Sequence, residues 1–116
     1  MQFNSLEPFI PSGSDFEASK KLFLELGFEI NWEADDYIGF QKDATKFILQ
    51  KFDNKTFAEN LMLSVVVSDL ENYWQHLSHK NLPEKFGVKL GKITDYPWGT
   101  EFHFIDIAGV CWHFRK

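Results

Sequence analysis

One cysteine, Cys111, is all that the 116 residues contain. No disulfide can form within the chain, so the fold must stand on an apolar core, for which this length suffices. A single domain in a reducing compartment, the cytoplasm, is the expectation. No stretch approaches the roughly 18 consecutive apolar residues of a membrane-spanning helix, and the first residues lack the basic and apolar regions of a secretory signal. Positive charge is also scarce: 12 Lys and Arg stand against 17 Asp and Glu, a net charge of −5. With no basic stripe, neither nucleic acid nor an anionic membrane is an expected partner. A cationic ligand fits that balance, as does ordinary solubility. Ser-His-Asp spacing, a Gly-rich phosphate loop and a dinucleotide-binding fingerprint are all missing.

Aromatic residues, by contrast, are in surplus, with 13 Phe and 4 Trp. Part of that surplus serves the core, and the remainder is available to a pocket or an interface. The most informative stretch is residues 96–114, YPWGTEFHFIDIAGVCWHF. Pro97-Trp98-Gly99 is a turn. Glu101, His103 and Ile105 then alternate with Phe102 and Phe104, a tight connection follows at residues 106–109, and Val110, Trp112 and Phe114 alternate with Cys111, His113 and Arg115. Period-two patterning bounded by Gly and Asp signals a β-hairpin, with an apolar face on the core and a mixed face toward a cleft. Pairing apolar with apolar sets Phe104 opposite Trp112 and Phe102 opposite Phe114, which places His103 opposite His113 on the cleft face.

In chain order, residues 6–12 form a short extended piece whose Pro8 and Pro11 confine it to a sheet edge or an outward-reaching arm. Ser14 or Asp15 caps a helix running to about Leu26, ended by Gly27. Residues 28–34, 37–42 and 45–52 are three successive strands, and residues 53–60 a polar linker. The order then recurs: a β-branched strand over residues 61–68, a helix capped by Asp69 and running to about Lys80, a loop over 82–87, a strand over 88–94 and the hairpin. Two βαβββ modules, at about residues 6–52 and 61–116, predict an α+β fold with a curved mixed sheet. Its concave face forms a cleft, and helices cover the other.

With this order in place, the chain resembles the vicinal-oxygen-chelate superfamily, and within it the bleomycin-resistance proteins. The resemblance is carried by Pro97-Trp98-Gly99, Glu101-Phe102, Asp106, Ala108-Gly109, Cys111 and His113-Phe114, with Leu26-Gly27-Phe28 and Asp35-Asp36-Tyr37 plus Gly39 in the first half. Pro8, Asp15 and residues 70–74 also fall where the group has similar residues. Ile107 stands where that family usually has proline and Val110 where a polar residue is common. The resemblance implies a homodimer, often with exchange of the N-terminal arm, and two ligand crevices at the subunit interface. It implies sequestration of a small flat aromatic or cationic molecule, bleomycin-type antibiotics included, with no chemistry done on it and no cofactor. Tyr37 and Trp98 match the aromatic stacking positions, against the plainer role of turn-anchoring core residues. Gln50, Met62, Ser64, Glu101, His103 and His113 complete the expected lining. Asp35, Asp36 and Glu101 would bias the site toward cations.

The metal-dependent branches of that superfamily imply four donors, which fall near Phe9, Gln50, Met62 and His113. Phe9 cannot ligate, Met62 is a poor ligand for hard metals and Gln50 a weak neutral one, so no metal is expected at that site. His103 opposite His113, with Gln50 nearby, is a candidate weak metal site, but a hydrogen-bonded His pair is the commoner arrangement. His76 and His79 are expected to be solvated, and Cys111 a buried small hydrophobe. The alternative function is a metal-dependent glyoxalase, dioxygenase or thiol-transferase-type enzyme of the same superfamily. A third is a dimeric module whose crevice serves a partner protein.

Overall fold

The computed structural model describes residues 1–116. The elements run β1 (Phe9–Pro11), α1 (Phe16–Glu25), β2 (Glu29–Glu33), β3 (Tyr37–Lys42), β4 (Thr45–Gln50), α2 (Lys55–Glu59), β5 (Met62–Val66), α3 (Leu70–Ser78), α4 (Leu82–Phe86), β6 (Lys89–Leu90), β7 (Thr94–Tyr96), β8 (Gly99–Ile105) and β9 (Cys111–Arg115). The strands form two sheets, in the orders β1-β4-β3-β2 and β5-β9-β8-β6, with β7 also paired to β8. Each module thus repeats one topology: its first strand lies parallel to its last, and the others pair antiparallel. The architecture is α+β, built from two βαβββ modules.

Local chemistry accounts for the boundaries. Asp15 starts α1 by accepting the Ala18 amide at 2.9 Å, and Asp69 starts α3 by accepting that of Asn72 at 3.1 Å. Both side chains satisfy helix-start donors that would otherwise lack partners. Gly27, at φ +103°, ends the first helix in a conformation only glycine adopts without strain. In the polar segment 53–60, expected to be a linker, Asn54 accepts the Phe57 amide at 3.0 Å and starts the short α2. Residues 82–86, expected to be loop, form α4, where Pro83 suits the first turn and left-handed Gly87 closes it. The strand expected over 88–94 is divided into β6 and β7; Gly91 still donates its amide to the His103 carbonyl at 2.8 Å, and the regular pairing resumes only at Thr94.

The apolar faces of both sheets merge in one cluster of 19 buried residues. Trp112 is its junction: from the second module it meets Phe23, Phe28 and Phe47 of the first, at ring-centroid distances of 5.5, 6.0 and 5.4 Å. Edge-to-face and tilted geometry at this range adds to the stabilisation from burial alone. Tyr73 of α3 donates its hydroxyl to the Leu26 carbonyl at 2.7 Å, tying the second module's helix to the end of the first's.

A further tie lies between Gly13 and the β8–β9 turn. Gly13 has φ +80°, and a Cβ there would lie 3.1 Å from the Ala108 Cα. Gly13→Ala is therefore expected to destabilise the fold by about 1–2 kcal/mol, from the left-handed backbone with crowding added. Denaturant titration checks this, and an unchanged midpoint would contradict it.

Candidate functional site

The hairpin has the register that apolar pairing demands: Phe102 opposite Phe114, His103 opposite His113, and Phe104 opposite Trp112. Phe102, Phe104, Trp112 and Phe114 are buried. Glu101, His103, Cys111, His113 and Arg115 therefore share the other face, because side chains alternate along a strand. The parallel neighbour β5 sets Met62 beside Cys111 and Ser64 beside His113. Met62, Leu63, Ser64, Trp98, Glu101, His113 and Arg115 line a hollow of about 440 Å³ on this face.

Its floor is a buried carboxylate. The Glu101 side chain is 5% exposed, and one oxygen, Oε1, accepts the Trp98 indole N–H at 3.2 Å and lies 3.1 Å from His103 Nε2 and 3.5 Å from His113 Nδ1. Burial alone would raise its pKa, but the contacts from His103, Trp98 and His113 outweigh that and hold it below the ordinary value. Glu101 is therefore an anion whose partners are already in place. The His pair expected from the sequence does not bond to itself: both rings turn to this carboxylate. Trp98 is 69% exposed and stacks on Tyr96 at 4.8 Å with an 8° interplanar angle. Tyr96 in turn stacks on His103 at 5.7 Å. One face of the indole is supported and the other is open.

Five of the eight expected lining residues, Met62, Ser64, Trp98, Glu101 and His113, meet at this hollow, and His103 joins through Glu101. Tyr37 and Gln50 do not: they lie opposite one another on β3 and β4 of the first sheet, with Pro11 on the far side of Gln50. Gln50 is thus not beside the His pair, and Asp35 and Asp36 precede Tyr37 rather than flanking Glu101. The duplication gives this separation a pattern. Tyr37, Gln50 and Pro11 form a row across three strands of the first module, as His103, His113 and Ser64 do in the second. Phe9 is 54% exposed, Tyr37 37% and Met62 67%, so each module leaves apolar side chains open to solvent.

Tyr96 and Arg115 were not among the expected lining residues, although the strand pattern put Arg115 on the cleft face with His113. Tyr96 takes its role from the stack with Trp98, which strand periodicity does not reveal. Arg115 is anchored by its Nε donating to Ser64 Oγ at 2.8 Å, a contact across 51 residues of sequence. Cys111 is only partly buried and lies 3.5 Å from His113 Nε2. Burial, with the Glu101 and Asp106 charges, pushes its thiol pKa up, so it is not an activated nucleophile. His76 is exposed on α3, and His79 is exposed at its C-terminal cap. The donor set that the metal-dependent branches would need, Phe9, Gln50, Met62 and His113, does not fit such a metal, since it contains one good ligand.

No protein-family model and no curated protein matches the chain. Solved structures do. A bleomycin-binding protein from bleomycin-producing Streptomyces verticillus, complexed with copper(II)-bleomycin, is similar with a TM-score of 0.81 and 20% identity, over 99% of this chain and 97% of that one. A bleomycin-binding protein complexed with bleomycin gives a TM-score of 0.83 at 16% identity, over 98% of both chains. A bleomycin resistance determinant encoded on the transposon Tn5 gives 0.77 at 15% identity, again over 98% of both. The chain therefore has the fold of the bleomycin-binding and bleomycin-resistance proteins.

Proposed function

We propose that the protein is a non-catalytic binding protein that sequesters a flat, aromatic or cationic small molecule, with bleomycin-type antibiotics as the first candidates. The observation that carries this reading is the Trp98 indole, held flat on Tyr96 with its other face open beside the hollow. A ring fixed in this way stacks on a planar ligand at little entropic loss. The geometry favours aromatic stacking over charge attraction. Glu101 is already engaged by three partners, and Arg115 adds a cation to the lining.

The reading includes a homodimer. Tyr37 and Gln50 lie opposite one another in the first sheet, as His103 and His113 do in the second, and a two-fold contact pairs unlike patches twice over. A second copy would set the open face of one copy's first module over the partner's hollow, giving two crevices. Each would combine Tyr37, Gln50 and the acidic pair Asp35–Asp36 with Trp98, Met62 and Ser64. Exposed Phe9, Tyr37 and Met62 would be covered, removing apolar surface from water. Exchange of the N-terminal arm belongs to the same reading: residues 1–7 are exposed, and β1 holds its place at a sheet edge.

Thermal-shift titration with bleomycin tests binding, because a ligand that binds only the native state raises the melting temperature. Light scattering at micromolar concentration is expected to show a dimer; a monomer would overturn the shared crevice. The Pro8 carbonyl accepts the Ile48 amide at 2.9 Å, and Pro8→Gly frees the chain before it. Pro8→Gly is expected to weaken the dimer, read as a higher dissociation midpoint on dilution. An unchanged midpoint would remove the arm from the interface.

A further inference from the structure

Beyond sequestration, and independent of it, we propose that Glu101, His103 and His113 form a site for one divalent transition-metal ion of the zinc or cobalt kind, on the open face of the β8–β9 hairpin. The three ligand atoms already lie within 4.8 Å of one another. Glu101 Oε1 is 3.1 Å from His103 Nε2 and 3.5 Å from His113 Nδ1. Metal bonds of about 2.0–2.2 Å in tetrahedral geometry place adjacent donors about 3.3–3.6 Å apart. The 3.1 Å separation is just short of that edge and the 3.5 Å separation matches it, while the two imidazole nitrogens, within 4.8 Å of each other, would have to draw together around the ion.

Position and chemistry agree with the spacing. His103 and His113 are directly opposed across an antiparallel pair, and Glu101 lies two residues before His103 on the same face. Paired strands hold donors more firmly than loops do. Two imidazoles and one carboxylate suit zinc, cobalt, nickel or copper, and not magnesium or calcium, which take oxygen donors. The Trp98 indole N–H, 3.2 Å from the Glu101 oxygen, would orient that ligand as outer-shell donors do. Glu101 and His113 also line the hollow, which leaves a fourth coordination position facing it. Only His113 is shared with the Phe9, Gln50, Met62 and His113 set considered above.

A hydrogen-bonded trio without metal has the same distances, so titration decides between them. Metal-free full-length protein is titrated with Co²⁺ alone at about pH 7.5, where imidazole is mostly neutral, and followed by visible absorption and calorimetry. The expected result is saturation near one equivalent, with intense tetrahedral-type bands that Zn²⁺ abolishes. His103→Ala and His113→Ala are each expected to weaken binding at least about tenfold, and a His76→Ala/His79→Ala double variant to leave it unchanged. Melting curves establish that each variant is folded, and His103, the most exposed of the three ligands, provides the variant least exposed to that difficulty. No saturable cobalt binding by the wild type would overturn the site, as would binding that survives His113→Ala or is lost in the His76/His79 variant. Organic-ligand binding measured separately with a chelator present tests sequestration, so either reading can fail without the other.

Discussion

Replacing Asp106 with alanine is expected to lower the melting temperature by roughly 10 °C. Asp106 is 5% exposed. One of its carboxylate oxygens accepts the amides of Gly109 at 3.1 Å and Val110 at 2.9 Å, and the other accepts the Trp112 indole N–H at 2.9 Å. Val110 and Trp112 are buried, so water cannot replace the lost acceptor without opening the core. Leaving such donors unpaired costs about 2–4 kcal/mol in all. Because Trp112 joins the two modules, the loss falls on the junction of the core. An Asp106→Ala melting point within a degree or two of wild type would show that the turn holds itself.

The same carboxylate predicts a pH dependence. Burial raises the Asp106 pKa to about 6, against the lowering effect of its three donors. In the unfolded chain the value is about 3.9. The folded state therefore holds the proton more tightly, so this group's contribution to stability is greatest below about pH 4 and declines as pH rises to about 6. Wild type is expected to lose part of its advantage over Asp106→Ala across that window. Glu101 acts in the opposite direction: its pKa is lowered on folding, so its contribution is present above about pH 4.3 and is lost as pH falls through the folded value. Chemical denaturation of the two proteins in parallel from pH 4 to 7 isolates the Asp106 component, since Glu101 is common to both. A gap that widens with rising pH would reverse the assignment.

Trp98→Ala is expected to weaken binding of a flat ligand by about 1–3 kcal/mol, while shifting stability by about 1 kcal/mol or less. The indole is 69% exposed, and its one hydrogen bond goes to a carboxylate that keeps two histidine partners. Removing it takes away contact surface and uncovers Tyr96, with little of the core disturbed. Titration calorimetry with bleomycin reads the binding, and a thermal melt reads the fold. If the variant unfolds, or binds as wild type does, Trp98 is a structural residue and stacking does not carry the affinity.

Sequence patterning succeeds where burial or a local hydrogen bond fixes the outcome, and stops where side-chain rotamers or very short elements decide it. The hairpin was legible because a one-residue slip would expose Phe102, Phe104, Trp112 and Phe114 together, so one register alone is compatible with burial. Asp15 and Asp69 were legible as caps because their chemistry is local. Val110, apolar where the resembling family is commonly polar, makes sense once it is seen to be fully buried behind Asp106. The short helices α2 and α4 were not legible: at five residues each, they carry too few periodic positions to outweigh polar or Pro-containing sequence. Nor was the orientation of the histidines. Period two places His103 and His113 on one face, but it does not say that both turn to Glu101, because rotamers answer to the carboxylate's need for donors. Tyr37 illustrates a different limit. Sequence resemblance grouped it with Trp98, whereas within the chain the two residues belong to different sheets.

Equilibrium dialysis against metal-free bleomycin, with a chelator in both chambers and the ligand recovered for mass spectrometry, tests sequestration most directly. Saturable binding and a recovered ligand of unchanged mass are expected. Linear, non-saturating uptake at high micromolar ligand would contradict binding of this class, and a recovered ligand of altered mass would contradict a non-catalytic role.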